Sequence, residues 1–196
     1  GITAGLIANL AIGQGELLVT PLQMAQFAML LANKGMGYRP HLIHNLVDPL
    51  SGRESKTQLK PIHIKGIEPQ TFDLVRRGMF NVVSDGTGAS ARIIGIDYAG
   101  KTGTAQNPHG NSHSWFICFA PYQNPEIAMA VIVENGGAGS AVAAPIAGKF
   151  LRKYFYYKGE FDYDKERKIL QEIWARQQKL KEQAEKEKQE ESRINN

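Results

Sequence analysis

YAGKTGTAQ at Tyr98–Gln106, SWFICFA at Ser114–Ala120 and IAMAVIV at Ile127–Val133 are three consecutive runs of strand length and strand composition. Gly110 and Asn111 punctuate the first gap, and Pro121 to Pro125 punctuate the second. Strands that follow one another through connections this short pair most simply as antiparallel neighbours. Side chains alternate along a strand, so in the first run Lys101 and Gly103 face one way while Thr102 and Thr104 face the other. Downstream, a glycine-rich turn at Gly136 to Gly139 leads into Ala141 to Tyr157, where Val142, Ile146, Phe150 and Leu151 outline a helix that would pack on the sheet.

Working upstream, Glu68 to Val83 reads as a helix opened by Pro69, with Phe72, Val75, Met79 and Val82 three or four apart, and the loop Ser84 to Gly88 ends it. An earlier helix starts with Thr20 as N-cap, Pro21 at the first helical position and Gln23 completing a capping box, and runs to about Asn33 before Gly35. Its Leu22, Met24, Ala25, Phe27, Ala28, Leu30 and Leu31 cover most of the circumference, which implies burial on more than one side. Between the two helices, His41 to Val47 and Pro61 to Lys65 flank the turn-rich Asp48 to Gly52 and predict a hairpin. Helices, then antiparallel strands, then a closing helix make an α+β domain.

The chain has 196 residues, a formal charge of +4 and a single cysteine, Cys118. That is material for one domain with a real core, without a disulfide framework and without a run long enough to span a membrane. The charge is too dilute to argue for nucleic acid. Residues 162 to 193 hold nine basic and nine acidic side chains, so the whole net charge lies in the body of the chain. From Asp164 to Arg193 there is no Gly or Pro, and Ile169, Ile173, Trp174 and Leu180 fall near one stripe. The pattern predicts a charged helix that docks at its start and frays after it. Residues 1–158 therefore read as one domain portion and 159–196 as a charged helical tail.

Among chemistry-bearing residues, His41, His44, His63, His109 and His113 make no metal set with Cys, Asp or Glu, so no metal and no cofactor is expected. Cys118 sits inside an apolar strand and reads as a buried hydrophobe. Gly95, Gly100, Lys101 and Thr102 match the phosphate-binding P-loop pattern letter for letter. A P-loop, however, needs its Lys and Thr on the first turn of a helix, and the residues after Thr102, from Gly103 to Pro108, cannot continue as one. As a strand, the same residues gain a different chemistry. An edge strand pairs with an extended peptide, Gly103 lets another backbone approach, Lys101 and a Thr hydroxyl receive a carboxylate, and a strand N–H can stabilise an oxyanion.

GKTGTAQ at Gly100–Gln106, HSWFICFAP at His113–Pro121, IAMAVIVENGG at Ile127–Gly137 and VAAPI at Val142–Ile146 together resemble the end of a class B penicillin-binding protein, nearest to the penicillin-binding protein 2 type of cell elongation. IGQGELLVTPLQM at Ile12–Met24 and GMFNVVSDGTG at Gly78–Gly88 resemble the same family in the same order. The K-T-G strand is the third of the three motifs of such enzymes, after S-x-x-K and S-x-N. The resemblance implies the C-terminal part of a β-lactamase/transpeptidase-like fold and a serine-type D,D-transpeptidase of peptidoglycan synthesis. It implies as partners stem peptides ending in D-Ala-D-Ala, β-lactams, the N-terminal part of the same protein, a glycosyltransferase and other elongation-complex proteins. It also implies a site on the outer side of the cytoplasmic membrane, held by an anchor outside this chain. By the same resemblance, Lys101 lies across from the nucleophile, Thr102 and Thr104 bind the terminal carboxylate, Gly103 keeps the strand open and the Thr104 amide forms half of the oxyanion hole. Asn107 to Ser112 would line the rim.

The chain departs from the family pattern in one large respect. None of its serines has Lys at the S-x-x-K spacing and none begins an S-x-N; Ser84, Asp85 and Gly86 only imitate the latter. The expectation is thus one wall of an active site without its nucleophile, inactive by itself. The alternatives are a P-loop nucleotide-binding protein and a non-catalytic scaffold with the same fold.

Overall fold

The computed structural model describes residues 3–194, with side chains as far as Gln189. The chain forms two compact units, one ending at Arg152 and one beginning at Lys153.

In the first unit, α1 (Ala4–Ala11) is capped by Thr3, whose hydroxyl accepts from the Leu6 N–H, and it buries no residue. α2 (Pro21–Ala32) begins with the complete capping box: the Thr20 hydroxyl accepts from the Gln23 N–H and the Gln23 carboxamide accepts from the Thr20 N–H. Two small hairpin-like pairs follow. β1 (Met36–Tyr38) pairs antiparallel with β4 (Pro61–His63), and β2 (Asn45–Val47) with β3 (Glu54–Lys56). α3 (Pro69–Ser84) leads through a 3-10 turn at Ala89–Ala91 to β5 (Ala99–Ala105), β6 (His113–Ala120) and β7 (Ile127–Val133). These three strands form one antiparallel sheet in the order β5-β6-β7, with Thr102 opposite Phe116 and Phe116 opposite Val131. α4 (Ala143–Tyr157) follows.

α2 and α3 cover one face of the sheet. Ala28, Leu31 and Ala32 of α2, Phe72 and Met79 of α3, and Ala99, Ile117 and Phe119 of the strands make one buried cluster. Arg76 of α3 is buried against it, with no carboxylate partner among the described residues. Its guanidinium donates to the carbonyl of Ala32 and, at 2.6 Å, to that of Tyr122, and lies 5.2 Å from the Phe119 ring centroid. The charge is thus met by carbonyl dipoles and ring faces, which ties α2, α3 and the β6–β7 connection to one another.

The opposite face receives α4. The fully buried Ser114 of β6 accepts from the Ala143 N–H and donates to the Ala138 carbonyl, both at 3.0 Å, which satisfies one orphan donor at the start of α4. Gly148 lets α4 approach the 3-10 turn, since a Cβ there would lie 2.6 Å from the Ala91 carbonyl oxygen. Tyr98, buried just ahead of β5, donates its hydroxyl to that same carbonyl at 2.6 Å, and burial pushes its ionisation far up.

Two expectations are corrected. The hairpin was expected to join 41–47 to 61–65, but Asp48 turns Val47 directly back onto Glu54. Asp48 accepts from the Leu50 N–H and the Ser51 hydroxyl, an Asx turn that closes a shorter loop. The 61–63 strand is left to pair with 36–38 instead. Likewise α2 buries only Ala28, Leu31 and Ala32, while Leu22 and Phe27 stay 60% and 48% exposed, because only one side of the helix meets the sheet within this chain.

In the second unit, α5 (Tyr163–Ile194) is one long helix. Phe161 packs edge-on against Tyr163 with centroids 5.0 Å apart, and Tyr163 meets Tyr156 at 5.2 Å. Along α5, Ile173, Trp174 and Leu180 remain exposed.

Candidate active-site wall

β5 has two different halves. Ala99 and Gly100 are buried, whereas Lys101 and Thr104 are exposed and Thr102, Gly103 and Ala105 are half-buried. β5 is an edge strand, so only one side of its backbone is used by β6. Gly103 lies opposite Trp115, and a Cβ on Gly139 would fall 2.3 Å from the Gly103 carbonyl oxygen and 2.4 Å from that of Trp115. Gly139 therefore seals the inner side of this pair.

The free edge carries the polar groups. The Thr104 carbonyl points off the sheet, because it accepts a hydrogen bond of 2.9 Å from the Gln14 carboxamide nitrogen, and the Gln106 N–H donates back to the Gln14 carboxamide oxygen at 3.1 Å. In an antiparallel ladder a residue directs its N–H and its C=O to the same side, so the Thr104 N–H faces outward as well. The ammonium of Lys101 donates to the Thr102 carbonyl at 2.7 Å and makes no ion pair among the described residues. The Thr102 hydroxyl lies 2.8 Å from that of Thr87, at the end of the glycine-rich loop after α3. The Thr104 hydroxyl accepts from the Gly139 N–H at 3.4 Å.

The rim is built by mutual pairing of two loops. Asn107 donates to the Asn135 carboxamide at 2.8 Å, the Asn135 N–H donates to Nδ1 of His113 at 3.0 Å, and the Gly137 N–H donates to the Ser112 carbonyl at 2.8 Å. This fixes Asn107 to Ser112 beside the exposed half of β5.

Lys101, Thr102, Gly103 and Thr104 thus come together on one strand edge. Thr87 and Gln14 join them, and neither was singled out from the sequence; the quoted segments IGQGELLVTPLQM and GMFNVVSDGTG contain both and were the available signal. Ser84 stays at the end of α3, its hydroxyl spent on the Asn81 carbonyl. Cys118 is wholly buried, and burial pushes its thiol up, which makes it inert as a nucleophile. Among the described residues, no group of three or more His, Cys, Asp or Glu could hold a metal ion.

The P-loop alternative is overturned by the same geometry. Lys101 and Thr102 lie inside β5, and no helix begins there, so no helix N-terminus or fan of amides faces a phosphate.

The sequence profile of the penicillin binding protein transpeptidase domain matches residues 3–152. The chain belongs to this family. It is 36% identical over 165 residues to the peptidoglycan D,D-transpeptidase MrdA of Haemophilus influenzae, covering 74% of this chain and 25% of that protein. Among solved structures it is similar to penicillin-binding protein 2 of Pseudomonas aeruginosa in complex with WCK 5153, at 38% identity and a TM-score of 0.63, covering 79% of this chain and 34% of that one. It is also similar to penicillin-binding protein A of M. tuberculosis as an imipenem acyl-enzyme complex, at 31% identity and a TM-score of 0.66, covering 74% and 33%. The α+β, β-lactamase-like fold expected from the sequence is the fold of these family members. The chain spans about a quarter to a third of the length of the relatives it matches.

Proposed function

We propose that this chain is one wall of a serine-type D,D-transpeptidase that cross-links peptidoglycan and is acylated by β-lactams. The observation that carries the reading is the free edge of β5, where Thr104 turns its N–H and C=O outward between Lys101, Thr102 and the half-buried Gly103. A serine hydroxyl supplied from outside this chain would attack the carbonyl of the penultimate D-Ala. The Thr104 N–H would then donate to the oxyanion, the terminal D-Ala would leave with a proton as its free amine, and an amine of a neighbouring stem would take the acyl group and release the serine. Lys101 supplies positive charge across from the nucleophile. Thr102 and Thr104 present hydroxyls to the terminal carboxylate of the stem peptide, and Gly103 leaves the approach open because no side chain stands on it.

In this reading residues 1–158 complete the C-terminal portion of the transpeptidase domain and 159–196 form a charged helical tail outside it. The N-terminal part of the same protein is the partner that brings the nucleophile, its base and the membrane anchor. Cell-wall elongation places the site on the outer side of the cytoplasmic membrane, next to a glycosyltransferase that supplies glycan strands. Among the described residues no helix is long and apolar enough to cross a membrane.

The test is covalent labelling by a fluorescent penicillin. The full-length protein is expected to take up one label per chain, and residues 1–196 alone none, since acylation needs a nucleophile within hydrogen-bond reach of its base. A full-length protein that stays unlabelled and leaves D-Ala-D-Ala peptides intact would defeat the reading.

A further inference from the structure

We propose that the Gln14 carboxamide is a displaceable stand-in for substrate, which holds the Thr104 carbonyl until a ligand amide takes its place. The proposal rests on the transpeptidase reading above. In an antiparallel pairing, a residue directly opposite another through outward-facing groups exchanges both hydrogen bonds with it. An acyl donor whose scissile carbonyl accepts from the Thr104 N–H therefore aims its own amide N–H at the Thr104 C=O. That carbonyl is already taken: the Gln14 nitrogen donates to it at 2.9 Å. The other end of the same carboxamide accepts from the Gln106 N–H at 3.1 Å, so one side chain reproduces the donor and acceptor of a peptide backbone against Thr104 of β5 and Gln106 just beyond the strand's end.

The loop that carries Gln14 is built to let go. Gly13 and Gly15 flank it with φ of +74° and +78°, and a Cβ on Gly13 would meet nothing within 4 Å. The preceding α1 buries no residue, and the Gln14 N–H is held locally by the Asn9 carbonyl at 2.9 Å. Among the described hydrogen bonds, the carboxamide pair is what fastens this loop to β5. The net strength of two such neutral bonds suits a latch closed for most but not all of the time, and a ligand that needs the open form binds in proportion to the open fraction.

The latch predicts selectivity between acylating ligands. A penicillin with an acylamino side chain carries the competing N–H, whereas a carbapenem carries a hydroxyethyl group and lacks it. In the full-length protein, Gln14→Ala and the similarly long Gln14→Met are expected to raise the second-order acylation rate of benzylpenicillin by about three- to tenfold. The rate with imipenem should stay within about twofold, which also reports that the fold is intact. An unchanged or lower benzylpenicillin rate, or an equal change with both ligands, overturns the latch while leaving the transpeptidase reading standing. If the wild-type protein reacts with neither ligand, that reading fails and the latch falls with it.

Discussion

The sheet has two edge strands made of opposite materials. β7, Ile127–Val133, is apolar at every position, half-buried throughout, and covered on one face by α2 through Ala128 and Ala130. β5 is buried only at Ala99 and Gly100 and then turns to Lys, Thr, Gly, Thr and Ala. Both edges leave a row of backbone groups without a strand partner in this chain, yet they serve different ends. An apolar strand is held by what packs on its faces, so a change there is read in stability. A short polar strand with small residues contributes little packing, a lysine on it resists indiscriminate strand addition, and in the proposed reading its free edge receives a specific peptide. A change there should be read in chemistry.

The sharpest way to break this contrast is Lys101→Ala in the full-length protein. We expect acylation by penicillin to slow by about 10²- to 10³-fold, as for removal of one preorganised electrostatic group, with melting nearly unchanged. If Lys101 were only a solvated edge lysine, the rate would shift less than about twofold.

The converse substitution is Ala130→Asp on β7. A carboxylate placed against the α2 cluster is stripped of water where the guanidinium of Arg76 is already committed to the Ala32 and Tyr122 carbonyls, and it should cost about 3 kcal/mol or more of stability, read as a large fall in melting temperature. A melt as robust as the wild type would show that β7 is not core.

Gly139→Ala tests the point where both kinds of effect meet. Its new Cβ would collide with the backbone of the Gly103–Trp115 pair, and backbone cannot rotate away. About 1–3 kcal/mol of stability should be lost, and acylation should fall with it because the exposed half of β5 is displaced.

The smallest effect belongs in the exposed turn between β2 and β3. The Ser51 hydroxyl and the Leu50 N–H hold the Asp48 carboxyl below its ordinary value of 3.8. A lowered carboxyl stabilises the fold above its unfolded value, and that contribution is lost as pH falls through the folded one. NMR titration should therefore find Asp48 below 3.8 and rising toward it in Ser51→Ala, with β5–β7 resonances the same in Ser51→Ala as in the wild type at each pH. A Ser51→Ala titration that overlays the wild type would remove the hydroxyl as the cause.

Local sequence signals specified the parts of this protein whose physics is local. Thr20, Pro21 and Gln23 state a helix start because cap and capped amide lie three residues apart, and the observed box closes as they imply. The three strands and their antiparallel order follow from apolar runs joined by turns too short for a crossover. Lys101 to Thr104 could be recognised as a strand rather than a phosphate loop because helix formation fails at Gly103 to Pro108, which is again local. Tertiary structure decided what depends on distance along the chain. Whether Pro61–His63 pairs with 41–47 or with 36–38 depends on the Asp48 turn, which returns Val47 onto Glu54 and leaves 61–63 to 36–38, and both choices satisfy the same alternation. Thr87 beside Thr102, and above all Gln14 on Thr104 ninety residues away, have no period or spacing to announce them. A single side-chain amide finds a strand edge only once α2, α3 and the sheet have fixed where that edge lies, so the contact is a product of the packed core.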